Sequence, residues 1–425
     1  MGRVLFLAGI FLMVTGDWPR FLLSPPRWGM PLSILTWPWL YLMLLAASFV
    51  LLVATGVLRL VRSTTTDFLH PPLALLTLTF LLSVAFSQAP SLSQWAFGCV
   101  LGFVGFALAV ARILEDETCA TWIPIVIAAA ALFLATRVIL WRLDEGLIAS
   151  ASHVRNNAWL GKIQIAWVLN VTAPFLLAGF LRERRLVAAL SYGGVWLLSG
   201  AAIYVLFSKA GALAFALTTL SLCLLNARAW RRWLPPFAGV FAMLVGLIAA
   251  SPTMSTHLVV SLIHPERDVG IVMRQGVWRQ TLQIIADRPV VGVGLGAYDD
   301  VAHSQYGPPA DPYFFRNGWH AHNVFLHILA ETGAVGFLAF CYLGFTIARF
   351  VFRRWRDDEG RGRPDSAAAL CVLLAFVVLS MTEAMIAARV HASLRMNLVL
   401  ALLVICGLRL ASRPHAASAI RGGAS

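Results

Sequence analysis

The stretch Arg316-Asn317-Gly318-Trp319-His320-Ala321-His322-Asn323 runs without a break into the apolar segment Val324–Phe350. A polar, histidine-bearing approach followed by about twenty-five mostly apolar residues has the form of a helix entering a bilayer, since roughly twenty apolar residues cross about 30 Å of hydrocarbon. The same grammar recurs along the chain. Of its 425 residues, 59% are apolar and only 12% charged, and a soluble chain of this length carries roughly twice that charged fraction. Apolar residues fall in long blocks, at about 3–16, 31–58, 71–87, 92–112, 119–140, 161–181, 186–206, 209–226, 233–250, 323–350, 367–387 and 394–411, broken at Pro, Gly and charge clusters. This spacing predicts an all-α polytopic membrane protein of about twelve transmembrane helices. Nine would lie within 1–250 and three within 323–411, with a long, partly helical loop over 251–322 and a short tail over 412–425. The opening Met1–Gly16 has a basic residue and then an apolar run, but Asp17-Trp18-Pro19-Arg20 supplies no small-residue cleavage pattern. It is expected to stay attached as a short first helix.

Charge sets the expected orientation. The net charge is +13, which raises the question of nucleic acid. The basic residues, however, stand at the ends of apolar blocks and not on one soluble face, so no nucleic-acid partner is expected. Arg59, Arg62, Arg112, Arg182, Arg184, Arg185, Arg228, Arg231 and Arg232 fall in alternate short loops, as do the cluster from Arg349 to Arg363 and the basic tail. Positive loops stay in the cytoplasm. Both termini are then cytoplasmic, and the loop over 251–322 lies outside. The six cysteines lie in or beside apolar blocks and show neither metal spacing nor a disulfide framework.

The outward side carries cations the orientation rule does not require: Arg137, Arg142, Arg155, Lys162, Lys209, Arg274, Arg279, Arg288, Arg316 and Arg389. Individual members can snorkel to water or pair with Asp144, Glu145, Glu266 or Asp287. As a set they form an anion-binding surface, for which the arginine fork is well suited. Within the long loop, Trp278, Leu282 and Ile285 recur at helical spacing. They predict an amphipathic helix with one apolar face, and two readings stand for it: Arg274 directed along the membrane surface to a lipid-borne head group, or an interfacial helix whose arginines only touch phospholipid phosphates. The glycines of Gly292-Val293-Gly294-Leu295-Gly296 follow no predicted strand, so they read as a close backbone turn and not a dinucleotide loop.

His320 and His322 sit at the outer mouth of a predicted helix. A helix N-terminus presents unpaired N–H groups and partial positive charge, which favours a neutral imidazole. Three readings stand side by side: a metal site, for which the local sequence gives two ligands at most; a structural interfacial pair; and a general base beside an arginine-lined anion site. Glu331, inside apolar sequence, requires a partner and is expected to face the bundle interior. Glu383 is read as a mid-helix acid. A transporter would account for such acids, but no internal repeat supports one and the other outward charges cluster at helix ends.

At these residues the sequence resembles the O-antigen ligase/polymerase family of bacterial envelope glycosyltransferases. The resemblance rests on His320-Ala321-His322-Asn323 with Glu331 and Gly333 downstream, on Arg274 and Trp278 followed by Pro289 and Gly292–Gly296, and on Ser208-Lys209-Ala210-Gly211 opening a helix. Lys209 replaces the family's commoner arginine. The layout, with a long outer loop between the ninth and tenth helices, is also similar. The resemblance implies a GT-C-like fold of the inner membrane and transfer of a polysaccharide from undecaprenyl pyrophosphate to lipid A–core on the periplasmic side, with inversion and without a metal or other cofactor. It implies His322 as general base, with Arg274, Lys209 and Arg155 holding the pyrophosphate. Arg288, Arg142, His320 and Asn323 complete the expected substrate-binding set. The polymerase of the same family shares this donor chemistry and remains the alternative.

Overall fold

The computed structural model describes residues 1–15, 40–54, 67–144, 159–206, 208–227, 263–264, 269–306, 320–357 and 363–383. Among these residues there is no strand. The helices are α1 (Gly2–Thr15), α2 (Leu40–Ala54), α3 (His70–Ala85), α4 (Pro90–Ile113), α5 (Glu117–Asp144), α6 (Trp159–Arg182), α7 (Leu186–Val205), α8 (Lys209–Leu225), α9 (Val269–Asp287), α10 (Tyr298–Gln305), α11 (Val324–Asp357) and α12 (Arg363–Ser380). Six of them, α3 to α7 and α11, are long and apolar enough to cross a membrane, and α1, α2, α8 and α12 are shorter apolar helices. The chain is an all-helical, multi-pass membrane protein. The expected helices at 233–250 and 394–411 and the tail lie outside the described residues.

Hydrocarbon offers no partner to a backbone polar group, so each spanning segment satisfies its own N–H and C=O groups as a helix. Side-chain hydroxyls and amides inside the bundle follow the same rule by bonding back one turn. Thr172 donates to the Val168 carbonyl at 2.9 Å, Asn170 to the Ala166 carbonyl at 2.8 Å, and Thr218 to the Ala214 carbonyl at 2.8 Å. These residues lie in and around the main core, where α6 is enclosed by its neighbours and packs on α7, α12, α8 and α5. A second group, α3, α4 and α11, packs together, and α9 and α10 rest on its outer end.

Contacts between helix ends fall into two sets. At one end, Arg3 of α1 makes a two-point contact with Asp116 in the α4–α5 turn, at 3.1 and 2.6 Å. Arg182, closing α6, grips both oxygens of Asp365 in the first turn of α12 at 2.8 Å, and Phe68 stacks on Phe350 with centroids 4.2 Å apart. At the opposite end the α3–α4 turn meets the glycine turn, Gln88 N–H donating to the Val293 carbonyl at 3.0 Å.

The glycine turn is docked on a break in α11. At Gly333 (φ 61°) the helix leaves its regular path, and there Ala334 N–H donates to the Pro289 carbonyl at 2.8 Å and Val335 N–H to the Val290 carbonyl at 3.2 Å. In return Val293 N–H donates to the Ala330 carbonyl at 3.0 Å and Gly294 N–H to the Glu331 carbonyl at 2.9 Å. Backbone lies against backbone, with no room for a side chain between. A Cβ on Gly333 would stand 2.2 Å from the Val290 oxygen, and one on Gly292 (φ 71°) 2.3 Å from the Glu331 oxygen. Gly333→Ala or Gly292→Ala is therefore expected to destabilise the protein by at least about 2 kcal/mol, from left-handed strain and overpacking together. Gly344→Ala, whose Cβ meets nothing within 4 Å, should be neutral. Thermal melts of the three detergent-purified variants check this, and equal melting temperatures would contradict the docking.

Candidate active site

The N-terminal mouth of α11 is built by Asn323. Its Oδ1 accepts from Phe325 N–H at 2.9 Å and Leu326 N–H at 3.1 Å, capping the helix. Its Nδ2 donates to the Met381 carbonyl at 3.4 Å, which ties this mouth to the end of α12. His322, just before the cap, has φ 47°. A residue other than glycine pays about 1–2 kcal/mol to stand there, and the conformation turns its ring toward Glu383.

Glu383 is the centre of the cluster. Its Oε2 lies 3.1 Å from His322 Nδ1 and 3.3 Å from His320 Nε2, and its Oε1 receives Arg274 Nη2 at 2.8 Å. The two imidazoles are themselves in contact, with centroids 4.0 Å apart. Arg274 also donates from Nε to the Thr382 carbonyl and from Nη1 to the Gly270 carbonyl, each at 3.0 Å. One turn along α9, Trp278 donates from its indole to the Ala321 carbonyl at 2.9 Å, which fixes the backbone between the two histidines.

Two expectations from the sequence need correction. The buried face of α9 is Val277, Gln280, Thr281 and Ile284, while Leu282 is exposed. Polar bonds set this face: Thr281 and Tyr298 share their hydroxyls at 2.7 Å, and Gln280 donates to the Ala302 carbonyl at 3.2 Å. The helix docks on protein, and Arg274 points to Glu383 rather than to lipid. Glu383 is not mid-helix either. The helix α12 ends at Ser380, and the carboxylate beyond it supplies a third donor to what sequence spacing limited to two. His320, His322 and Glu383 hold candidate metal-ligand atoms within 4.8 Å of one another.

Of the remaining expected site residues, Lys209 and Arg142 lie on other helices. Lys209 opens α8, behind a Ser208 cap that accepts from Gly211 N–H at 3.2 Å. Arg142 is buried near the end of α5. Arg288 is exposed just beyond α9, fourteen residues after Arg274 and so about 20 Å away along the helix. Arg155 lies outside the described residues. Asp299 and Asp300, read as loop surface, open the short α10. Glu331 faces the interior as expected, with His327 Nε2 at 3.4 Å.

Electrostatics follow from this packing. Burial alone would raise the Glu383 carboxyl, but His322, the hydrogen bonds from both imidazoles, and Arg274 outweigh it and hold the group well below the ordinary value of 4.5. Burial lowers the His320 imidazole from 6.5 to about 4, with His322 acting in the same direction and the Glu383 hydrogen bond opposing.

Residues 194–341, from within α7 to within α11, match the family described as O-antigen ligase. Over this segment, about a third of the chain, the sequence is similar to that family. The match takes in Lys209, Arg274, Arg288, His320, His322, Asn323, Glu331 and Gly333, and stops short of Arg142, Arg155 and Glu383. No curated protein matches the chain. Glu383 is thus the residue that sequence reasoning missed as part of the site. Its signal was a lone acid in apolar sequence, read as a problem for one helix when its partners lie about sixty and one hundred residues earlier.

A stability profile tests the electrostatics. Both groups have depressed folded-state values, so each contributes stability at higher pH that is lost on acidification. The melting temperature should fall as pH drops from 6.5 toward 4, where an unfolded chain protonates His320 and the folded one does not, and fall further below 4.5 as Glu383 is forced to protonate. His320→Asn should flatten the first part and leave the second. An unchanged slope between pH 6.5 and 4 in that variant would count against a buried neutral imidazole.

Proposed function

We propose that the chain is an inverting O-antigen ligase that moves a polysaccharide from undecaprenyl pyrophosphate to lipid A–core on the periplasmic side of the inner membrane, with His322 as general base. The observation that carries this reading is the His322–Glu383 pair at the mouth of α11, within a chain whose 194–341 segment matches the O-antigen ligases. With Nδ1 against the carboxylate, the imidazole is held in one orientation with Nε2 as its basic nitrogen, the arrangement in which a carboxylate fixes the working tautomer of a histidine. The N-cap and Trp278 hold the backbone on either side of the ring.

The reaction balances with these groups. An acceptor sugar hydroxyl gives its proton to His322 Nε2 as its oxygen bonds to the anomeric carbon from the face opposite the leaving group. The bond from that carbon to the pyrophosphate oxygen breaks, and undecaprenyl pyrophosphate leaves as an anion. Preorganised cations lower the barrier to that departure. Arg274, with Lys209 and Arg155, is assigned to the donor pyrophosphate, and His320 and Asn323 to orienting the substrates beside the base. Exposed Arg288 extends the positive surface toward an acceptor rich in phosphate and acidic sugars, with the buried charge of Arg142 behind it. The lipid-linked donor and amphiphilic acceptor both arrive along the membrane, which suits a site at a helix mouth. A polymerase joining two lipid-linked repeats would use the same donor chemistry, and the cationic outer face favours the ligase.

In a bacterium deleted for its own ligase, the parent gene should restore a lipopolysaccharide ladder. His322→Ala at matched membrane levels should abolish it, and Glu383→Gln should slow transfer by about 100-fold or more. A ladder that persists with His322→Ala would remove the base assignment; lipid-linked polymer accumulating with the parent would move the polymerase ahead. Transfer by the purified protein should also survive exhaustive chelation. Loss of activity restored by a single divalent cation would overturn the metal-free mechanism.

A further inference from the structure

We infer that His320, His322 and Glu383 form a reversible zinc site whose occupation switches the protein off by capturing the base. The binding half stands on geometry alone, and the inhibitory half rests on the ligase reading above. Two imidazole nitrogens, His320 Nε2 and His322 Nδ1, converge on one carboxylate oxygen at 3.3 and 3.1 Å. Zinc bonds to nitrogen and oxygen are about 2.0–2.1 Å, so the ligand-to-ligand edge of a zinc tetrahedron is about 3.3–3.4 Å. Donor atoms already within 4.8 Å of one another need only small side-chain shifts to close on a cation. Two histidines and one carboxylate are three protein ligands, which leaves the fourth position to water.

The surroundings say how such a cation is held. The carboxylate's other oxygen is fixed by Arg274 at 2.8 Å, so one ligand is oriented before any cation arrives. The same guanidinium is a fixed positive charge beside the site and repels a divalent ion, which makes binding reversible. His320 and His322 retain side-chain exposures of 23% and 15%, so the site opens to the aqueous side. A cation on Nδ1 of His322 takes the place of the proton this nitrogen gives to Glu383. That proton moves to Nε2 or is released to water, so the basic nitrogen is either occupied or weakened by the cation, and positive charge is added where an acceptor proton must land. Each of these opposes base catalysis.

The test is zinc binding to the full-length protein in detergent micelles, after chelator treatment and with zinc chloride as the only added metal, read as bound zinc per chain. The parent should bind close to one zinc at this site. His320→Gln and Glu383→Gln should each weaken binding by about 10- to 100-fold or more. His303→Gln is the control, because His303 and Asp299 form a separate half-buried pair at 3.2 Å and should not affect the count. Melting temperatures show whether each variant is folded, and His320→Gln keeps the test alive should loss of Glu383 unfold the protein. No zinc in the parent, or zinc that survives both substitutions, overturns the site. In the transfer assay, zinc should inhibit the parent and a chelator should restore it. Zinc bound without inhibition overturns the inhibitory half, while a parent that never transfers polymer defeats the ligase reading and leaves the zinc count standing.

Discussion

The end of this protein that carries α9 and α10 hangs on a contact between two stretches of backbone. Where α11 breaks at Gly333, the turn after α9 exchanges four main-chain hydrogen bonds with it, and the glycines on both sides leave no side chain between them. Ser83 adds a bond from its hydroxyl to the Glu331 carbonyl at 2.8 Å, bringing α3 to the same point. A loop helix that would otherwise lie on the membrane is thereby fixed against a spanning one. Only then is Arg274 within reach of the end of α12 and Trp278 within reach of Ala321. The chemistry of the mouth is set by this packing deeper in the molecule.

What the packing assembles is a carboxylate that cannot stand alone. A buried charge without partners is costly, and removing one partner of a buried pair is more destabilising than forming the pair is stabilising. Glu383 answers with one arginine on one oxygen and two histidines on the other. Three segments distant in sequence therefore share one electrostatic balance. The guanidinium has five N–H groups, and contacts to Gly270, Thr382 and Glu383 already orient it. Such an arginine presents a fixed positive field at the mouth of α11.

How much of this was legible in the chain depends on range. Apolar runs gave helix positions to within a few residues, as at α5, α6 and α7, because crossing hydrocarbon imposes length and composition on the local sequence. The histidines at the mouth of α11 were visible because a helix start has its own local signals. The inward face of α9 was not, since Thr281 and Gln280 are buried only because Tyr298 and Ala302 meet them. Glu383 escaped for the same reason. Its partners come from α9 and from the turn before α11, and no spacing along one helix announces them.

The molecule also contains a built-in contrast that separates chemistry from architecture. His327 and Glu331, one turn apart on α11, repeat the pairing of His322 with Glu383 at 3.4 Å. Their side chains are each only 4% exposed, beneath the ring of Tyr298 at 4.9 Å. That imidazole is sealed from solvent, and the inner pair fastens α10 to α11. His322 has the same kind of partner, yet it stands at the rim, with its backbone held in a conformation that few residues adopt. Strain is accepted at the accessible imidazole and absent at the sealed one, and backbone strain of that kind clusters at functional sites.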